Sequence, residues 1–155
     1  MNAGDLSDIV TAIVAVASLG LSIYNFYVSQ QDKRPVLVAK ISNGFLIFGP
    51  EISDLMLRLE VANSGEKQVT VLAVEVAWGR QKAFFPSIDG TKRIPFELSP
   101  SESATFWIPM KDFKVSLRQQ GIVGKVRVRA CFRDAVGNEY YSRRRFTIDT
   151  NESAK

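Results

Sequence analysis

The chain reads as an all-β domain, an antiparallel sandwich, carried behind a single N-terminal transmembrane helix. Three observations give that reading. An uncharged apolar run extends from Ile9 to Val28, short segments alternate in hydrophobicity with period two from Val36 onward, and turn residues recur between them. Once the helix is set aside, roughly 115 to 120 residues remain, enough for one core and too few for two. The expected layout is a tail over residues 1–8, the helix over 9–28, a linker over 29–34, the β domain over 35–150 and a second tail over 151–155.

The helix comes first. No charged residue lies between Ile9 and Gln31, and about 20 apolar residues at about 1.5 Å each cross the hydrocarbon of a bilayer. Tyr24 and Tyr27 stand near its end, where amphipathic rings favour the headgroup level. Ala15-Val16-Ala17 imitates a signal-peptide cleavage site, but Asp5 and Asp8 precede the run in place of basic residues and the run continues well past the supposed cut. Lys33, Arg34 and Lys40 follow the span and no Lys or Arg precedes it. By the positive-inside rule this is a single-pass protein of the inner (plasma) membrane, N-terminus outside and C-terminal domain cytoplasmic. Thr11, Ala15, Ser18, Ser22, Asn25 and Ser29 recur at spacings of four and three. Small and hydroxyl side chains in such a seam let helices approach closely in lipid, so the expected partners are a second copy or another membrane protein.

The strands follow in order. Pro35 opens an extended segment, and Val36–Ser42 and Phe45–Phe48 flank Asn43-Gly44, which predicts a tight hairpin there. Leu55, Leu57, Leu59 and Val61 alternate with Met56, Arg58 and Glu60. Leu72, Val74, Val76 and Trp78 are expected on one buried face of the next strand, with Trp78 as a core anchor. Phe84-Phe85-Pro86 reads as irregular, Ala104–Met110 as a strand and Lys111–Gln120 as room for one helical turn. Val123–Arg133 and Glu139–Asp149 are the last two strands.

Leu59-Glu60-Val61-Ala62-Asn63-Ser64-Gly65, Leu98-Ser99-Pro100-Ser101-Glu102-Ser103 and Asp134-Ala135-Val136-Gly137-Asn138-Glu139-Tyr140-Tyr141 together resemble bacterial immunoglobulin-like sandwich domains over about residues 35–150. The layout is similar to that of small bacterial and prophage proteins with a leading membrane helix. The resemblance implies an immunoglobulin-like fold, a binding role and a prophage or defence-associated setting. It carries no functional residue across, and the paired cysteines of antibody-type domains are absent.

Composition narrows the chemistry. The chain has no histidine and one cysteine, Cys131, so Ser-His and Cys-His nucleophile pairs and Cys/His zinc sites have no parts. No GxxxxGK[ST] or GxGxxG loop is present to cradle phosphates. The carboxylates are scattered over strands and turns. The expectation is a non-enzymatic chain without cofactor, metal or catalytic residues, and its unpaired cysteine suits a reducing compartment.

The net charge of +4 is concentrated towards the C-terminus. On the penultimate strand Val126, Val128, Ala130 and Phe132 form an apolar face, and Lys125, Arg127, Arg129 and Arg133 share the opposite one with Cys131. Tyr140, Phe146 and Ile148 put even positions of the last strand inward, leaving Tyr141, Arg143 and Arg145 outward. A simple hairpin with Arg133 opposite Glu139 would set Arg129 against Arg143 and Arg127 against Arg145, a like-charge repulsion that an anionic partner would relieve, as would a neighbouring acidic loop or solvent around a solvated charge face. Arg144 fits the inward set badly, which predicts either a bulge there or an arginine stretching its stem to the edge. Lys125, Arg127, Arg129, Arg133, Arg143 and Arg145 are therefore the candidate anionic-partner surface, for lipid headgroups or an acidic protein ahead of nucleic acid, which asks for more aromatic residues. Phe84 and Phe85 are a candidate contact loop. The functional expectation is a membrane-tethered interaction domain, a subunit of a membrane complex, with anionic headgroup or nucleic-acid binding as the alternative.

Overall fold

The computed structural model describes residues 3–32, 36–85 and 88–151 and divides into two compact units, Met1–Arg34 and Pro35–Lys155. The first is one helix, α1, over Ala3–Asp32. It is longer than the expected span at both ends, and at the C-terminal end no glycine or proline interrupts the run between Gly20 and Pro35. Much of the expected linker is thus helical, as is the expected 1–8 tail from Ala3 onward, while residues 1–2, 33–35 and 152–155 lie outside the described residues. Thr11–Ser29, 19 residues of mean hydropathy 1.6, is long and apolar enough to cross a membrane.

The second unit is mostly β, and all its strand pairs are antiparallel. One sheet runs β1 (Leu37–Gly44), β4 (Met56–Asn63), β9 (Ser103–Pro109), β7 (Asp89–Gly90). In the other, β5 (Val69–Trp78) is central. Its one edge pairs with β6 (Gln81–Phe84) and β8 (Phe96–Leu98), and its other edge pairs with β10 (Lys125–Asp134), which carries β11 (Glu139–Tyr141) and β12 (Phe146–Asp149). β2 (Ile47–Phe48) and β3 (Glu51–Ile52) form a small separate hairpin.

The Asn43-Gly44 hairpin does not form. β1 stays in register with β4 as far as the pair Gly44 and Met56, so long-range pairing overrides the local turn signal. The tight turn falls instead at Gly49-Pro50, where Gly49 takes φ +62°, and the base of this hairpin is closed by the Ser53 hydroxyl accepting from the Leu46 backbone nitrogen.

A bulge decides which face of β5 is buried. Arg133 pairs with Ala73 but Asp134 pairs with Val71, which leaves Leu72 without an opposite residue. Parity flips there. Val69 and Val71 point into the core on one side of the bulge and Val74, Val76 and Trp78 on the other, while Leu72, expected inside, is 45% exposed.

Both sheets feed one core. Leu57, Leu59, Val61, Ala104 and Phe106 of the first sheet meet Val74, Val76, Leu98, Val128, Ala130 and Phe132 of the second. The rings of Phe106 and Phe132 lie 6.3 Å apart. The expected single helical turn is a ten-residue helix, α2 (Met110–Gln119), whose Met110, Phe113 and Leu117 are buried. Phe113 meets the edge of Trp78 at 6.2 Å, so Trp78 anchors the core as expected. Gly121, at φ +77°, ends α2: its nitrogen donates to Arg118 and that of Ile122 to Leu117, a Schellman closure that needs a left-handed residue.

Candidate functional site

The outward face of the second sheet is organised in rows set by strand register. Ala77 of β5 lies opposite Lys82 of β6 on one side and opposite Arg129 of β10 on the other. One row further, Glu75 lies opposite Phe84 and Cys131, and Cys131 opposite Tyr141. A methyl group between two long cationic side chains leaves a depression. Ala77 helps to line a concavity of about 220 Å³ with Trp78, Gly79, Arg80, Gln81, Lys82, Arg127, Arg129, Tyr141 and Arg145.

The turn between β5 and β6 brings Arg80 to the rim. Gly79, at φ +54°, allows the tight reversal, and the Trp78 indole nitrogen donates to the Gln81 side chain at 2.8 Å across it. At the opposite wall the chain leaves the β10 ladder after Tyr141. Arg133 pairs with Glu139 and Cys131 with Tyr141, but Arg127 pairs with Thr147 and Val128 with Phe146. The register has slipped by two residues. This corrects the expected facing pairs: Arg129 is not opposite Arg143, nor Arg127 opposite Arg145. Inward and outward parity survive a two-residue slip, and the irregular stretch Ser142–Arg145 contains Arg144. Arg129 lies over the Tyr141 ring, 5.1 Å from its centroid, a cation–π contact.

The six candidate basic residues are therefore dispersed. Arg127, Arg129 and Arg145 line the concavity. Arg133 is drawn 3.6 Å from Glu75, Arg143 lines a separate groove beside Val38, Lys40 and Arg144, and Lys125 lies opposite Asp149 at the end of the sheet. Arg80 and Lys82, which complete the cationic lining, were not among the expected residues. Their signal was the Gly79-Arg80 turn, legible only once Gln81–Phe84 is recognised as a strand.

Next to the concavity lies an ion-pair cluster. Glu75 is buried at 6% exposure. Its Oε1 is 3.6 Å from Arg133 and its Oε2 3.9 Å from Lys82, and Oε2 has no hydrogen-bond partner among the described residues. Lys82 also bonds Glu139, which raises the lysine above its ordinary value and lowers the glutamate. One ligand atom each from Glu75, Cys131 and Glu139 lies within 4.8 Å of the others, a spacing that could serve a metal. Two cations already balance the two carboxylates, with Lys82 reaching both. Burial pushes the Cys131 thiol up to about 11, so without a cation beside it the thiol is protonated at neutral pH. Among the described residues the two carboxylates are thus joined to Lys82 and Arg133 in a salt-bridge network.

The hairpin loop beside it is held by Asp134, which is buried. Its carboxylate accepts from the backbone nitrogens of Val136 and Asn138, from the Asn138 amide and from the Tyr140 hydroxyl, at 2.8–3.0 Å. Burial alone would raise its pKa, but the hydrogen bonds together outweigh that and hold it below the ordinary carboxylate value.

The contact loop expected at Phe84 and Phe85 is split. Phe84 ends β6 and is 49% exposed, whereas Phe85 packs against the core with its ring 6.2 Å from Phe113. In α1, helical geometry at about 100° per residue puts Thr11, Ala15, Ser18, Ser22, Asn25 and Ser29 within an arc of roughly 80°, and all are exposed. No protein-family model matches this chain, and no curated protein matches it significantly.

Proposed function

We propose that the chain is a single-pass, membrane-tethered, non-enzymatic interaction module of the inner (plasma) membrane, whose β domain is an immunoglobulin-like sandwich on the cytoplasmic side. The observation that carries this reading is the apolar surface of α1: Ile13, Val16, Leu19, Ile23 and Phe26 are 58–72% exposed. Each such side chain gains about 1.5–3 kcal/mol on leaving water, and a bilayer supplies that environment over the whole Thr11–Ser29 window. Two antiparallel layers around one core support the sandwich assignment, and Lys33 and Arg34 after the span support the orientation. The small-residue seam of α1 favours a second copy or a membrane-protein partner. The outward basic face of the second sheet favours an anionic partner.

Alkaline extraction of membranes carrying the full chain tests the anchoring, and release into the supernatant would refute it. A periplasm-dependent reporter enzyme fused after Lys155 tests orientation, with no activity expected. Ser18→Leu with Ser22→Leu is expected to weaken self-association or partner capture in mild detergent, and Ile13→Leu with Ile23→Leu is not. Equal effects of the two pairs would remove the seam from the proposal.

A further inference from the structure

We propose that the concavity floored by Ala77 is a binding site for a phosphomonoester, presented either by a lipid headgroup or by a small soluble molecule; this rests on the reading of the basic face as the anion-facing surface. Its lining holds Arg80, Lys82, Arg127, Arg129 and Arg145 and no carboxylate. Lys82 is committed to Glu139 and Glu75. Among the described residues no carboxylate pairs with any of the four arginines. Four guanidinium groups around one depression repel one another, and an anion seated among them converts that repulsion into attraction.

The residue type and the dimensions narrow the ligand. Guanidinium forks match phosphate oxygens in bidentate geometry, which ammonium groups do not. About 220 Å³ is below the roughly 300–1,000 Å³ of clefts that enclose drug-sized ligands, so the space suits a compact headgroup. The aromatic residues present are already engaged. The Tyr141 ring has Arg129 at 5.1 Å and Lys82 at 5.3 Å from its centroid, and Trp78 is buried with its N–H given to Gln81. Recognition of single-stranded nucleic acid relies on free aromatic faces for stacking, and this site offers none. A compact, charge-dense group without a ring is the chemistry that remains. A phosphomonoester carries about −1.5 to −2 at neutral pH and a phosphodiester only one charge, so four unpaired arginines select the former.

Register explains why the site is a depression and not a flat basic surface. Ala77 sits in the central strand between Lys82 and Arg129, and a larger residue there would fill the floor while keeping every charge. The two-residue slip after Tyr141 puts Arg145 at the wall in place of a ladder position opposite Arg127.

The test uses the full chain in mild detergent, with native mass spectrometry to compare phosphatidic acid (a monoester) with phosphatidylserine (a diester), and calorimetric titration with glycerol 3-phosphate. Preference for phosphatidic acid by at least ten-fold is expected. Arg127→Ala with Arg129→Ala should lower binding at least ten-fold, as should Ala77→Leu, while Lys111→Ala with Arg118→Ala, exposed on α2 and outside the concavity, should leave it unchanged. Thermal melts of each variant confirm folding, and the arginine pair, on the outward face, serves if Ala77→Leu does not fold. Binding of glycerol 3-phosphate identifies a soluble ligand and binding of phosphatidic acid alone a lipid; either supports the site. Equal affinity for the two lipids, or loss with the arginines but not with folded Ala77→Leu, overturns the pocket and leaves a general basic face standing. Absence of binding to both lipids and to glycerol 3-phosphate overturns the basic-face reading as well.

Discussion

The hydroxyl of Ser142 accepts a hydrogen bond from the backbone nitrogen of Ala130 at 3.1 Å and donates one to the carbonyl of Arg144 at 2.9 Å. The Ser142 backbone nitrogen in turn donates to the carbonyl of Ala130. One side chain thus replaces the ladder where the chain departs from β10, and it sits between the two registers on either side of Ser142–Arg145. Ser142 is buried, so water cannot readily take over its bonds.

Ser142→Ala should therefore cost about 1–3 kcal/mol, the penalty for leaving a buried donor unsatisfied. Chemical denaturation measures this. Hydrogen exchange at Ala130 should accelerate more than at Leu59, in the other sheet. A loss below about 0.5 kcal/mol, with exchange at Ala130 unchanged, would show that the irregular segment closes without the hydroxyl.

Asp134 predicts a specific acid sensitivity. Its folded carboxyl titrates below the ordinary value, so the unfolded chain binds the proton first as pH falls. The stability it confers is fully present above about pH 4 and is lost as pH drops through the folded value. Denaturation midpoints measured between pH 6 and 2 should fall less steeply in Asp134→Asn than in the parent chain. Asp134→Ala should cost about 2–3 kcal/mol at neutral pH, since it strips partners from the turn nitrogens and from Tyr140. Parallel pH profiles for Asp134→Asn and the parent would refute the assignment.

Cys131 faces outward by strand parity yet is fully buried beneath its neighbours. With its thiol raised to about 11 by burial, reaction with a disulfide reagent at pH 8 should be slow in the native protein and fast only on unfolding. The rate should follow denaturant concentration through the unfolding transition. Rapid labelling without denaturant would show that the cover formed by the Lys82, Glu139 and Tyr141 side chains opens readily.

Gly90 is a steric requirement of the first sheet. A Cβ there would lie 2.4 Å from Cδ1 of Phe106 and 2.9 Å from the Thr105 carbonyl oxygen, so β7 can pair with β9 only if position 90 lacks a side chain. Gly90→Ala should destabilise by about 1–3 kcal/mol through overpacking, read from the thermal midpoint. Gly44→Ala, with open space around its Cβ, is the comparison and should change stability far less.

Much of the architecture is written locally. The uncharged run of α1, the alternation of Leu57, Leu59 and Val61, and the inward set Val128, Ala130 and Phe132 all follow from side-chain periodicity, because burying one face of a helix or strand is a property of consecutive residues. That the last strand is interrupted near Arg144 was legible in part, since an arginine at an inward position signals a break, but the interruption is an irregular stretch between two strands. Pairing partners were not legible in the same way. The Asn43-Gly44 turn was outcompeted by the long β1–β4 ladder, and the unpaired Leu72 inverted the parity of half of β5. The two-residue slip at Ser142 left Arg127 and Arg129 pointing outward as their sequence requires, but gave them other neighbours. The sequence by itself determined which side chains of β10 face out and where the positive charge lies along the chain; only the tertiary structure decided the facing of Leu72 and that Arg80, Arg127, Arg129 and Arg145 gather around Ala77, because register is set by contacts between strands far apart in the chain.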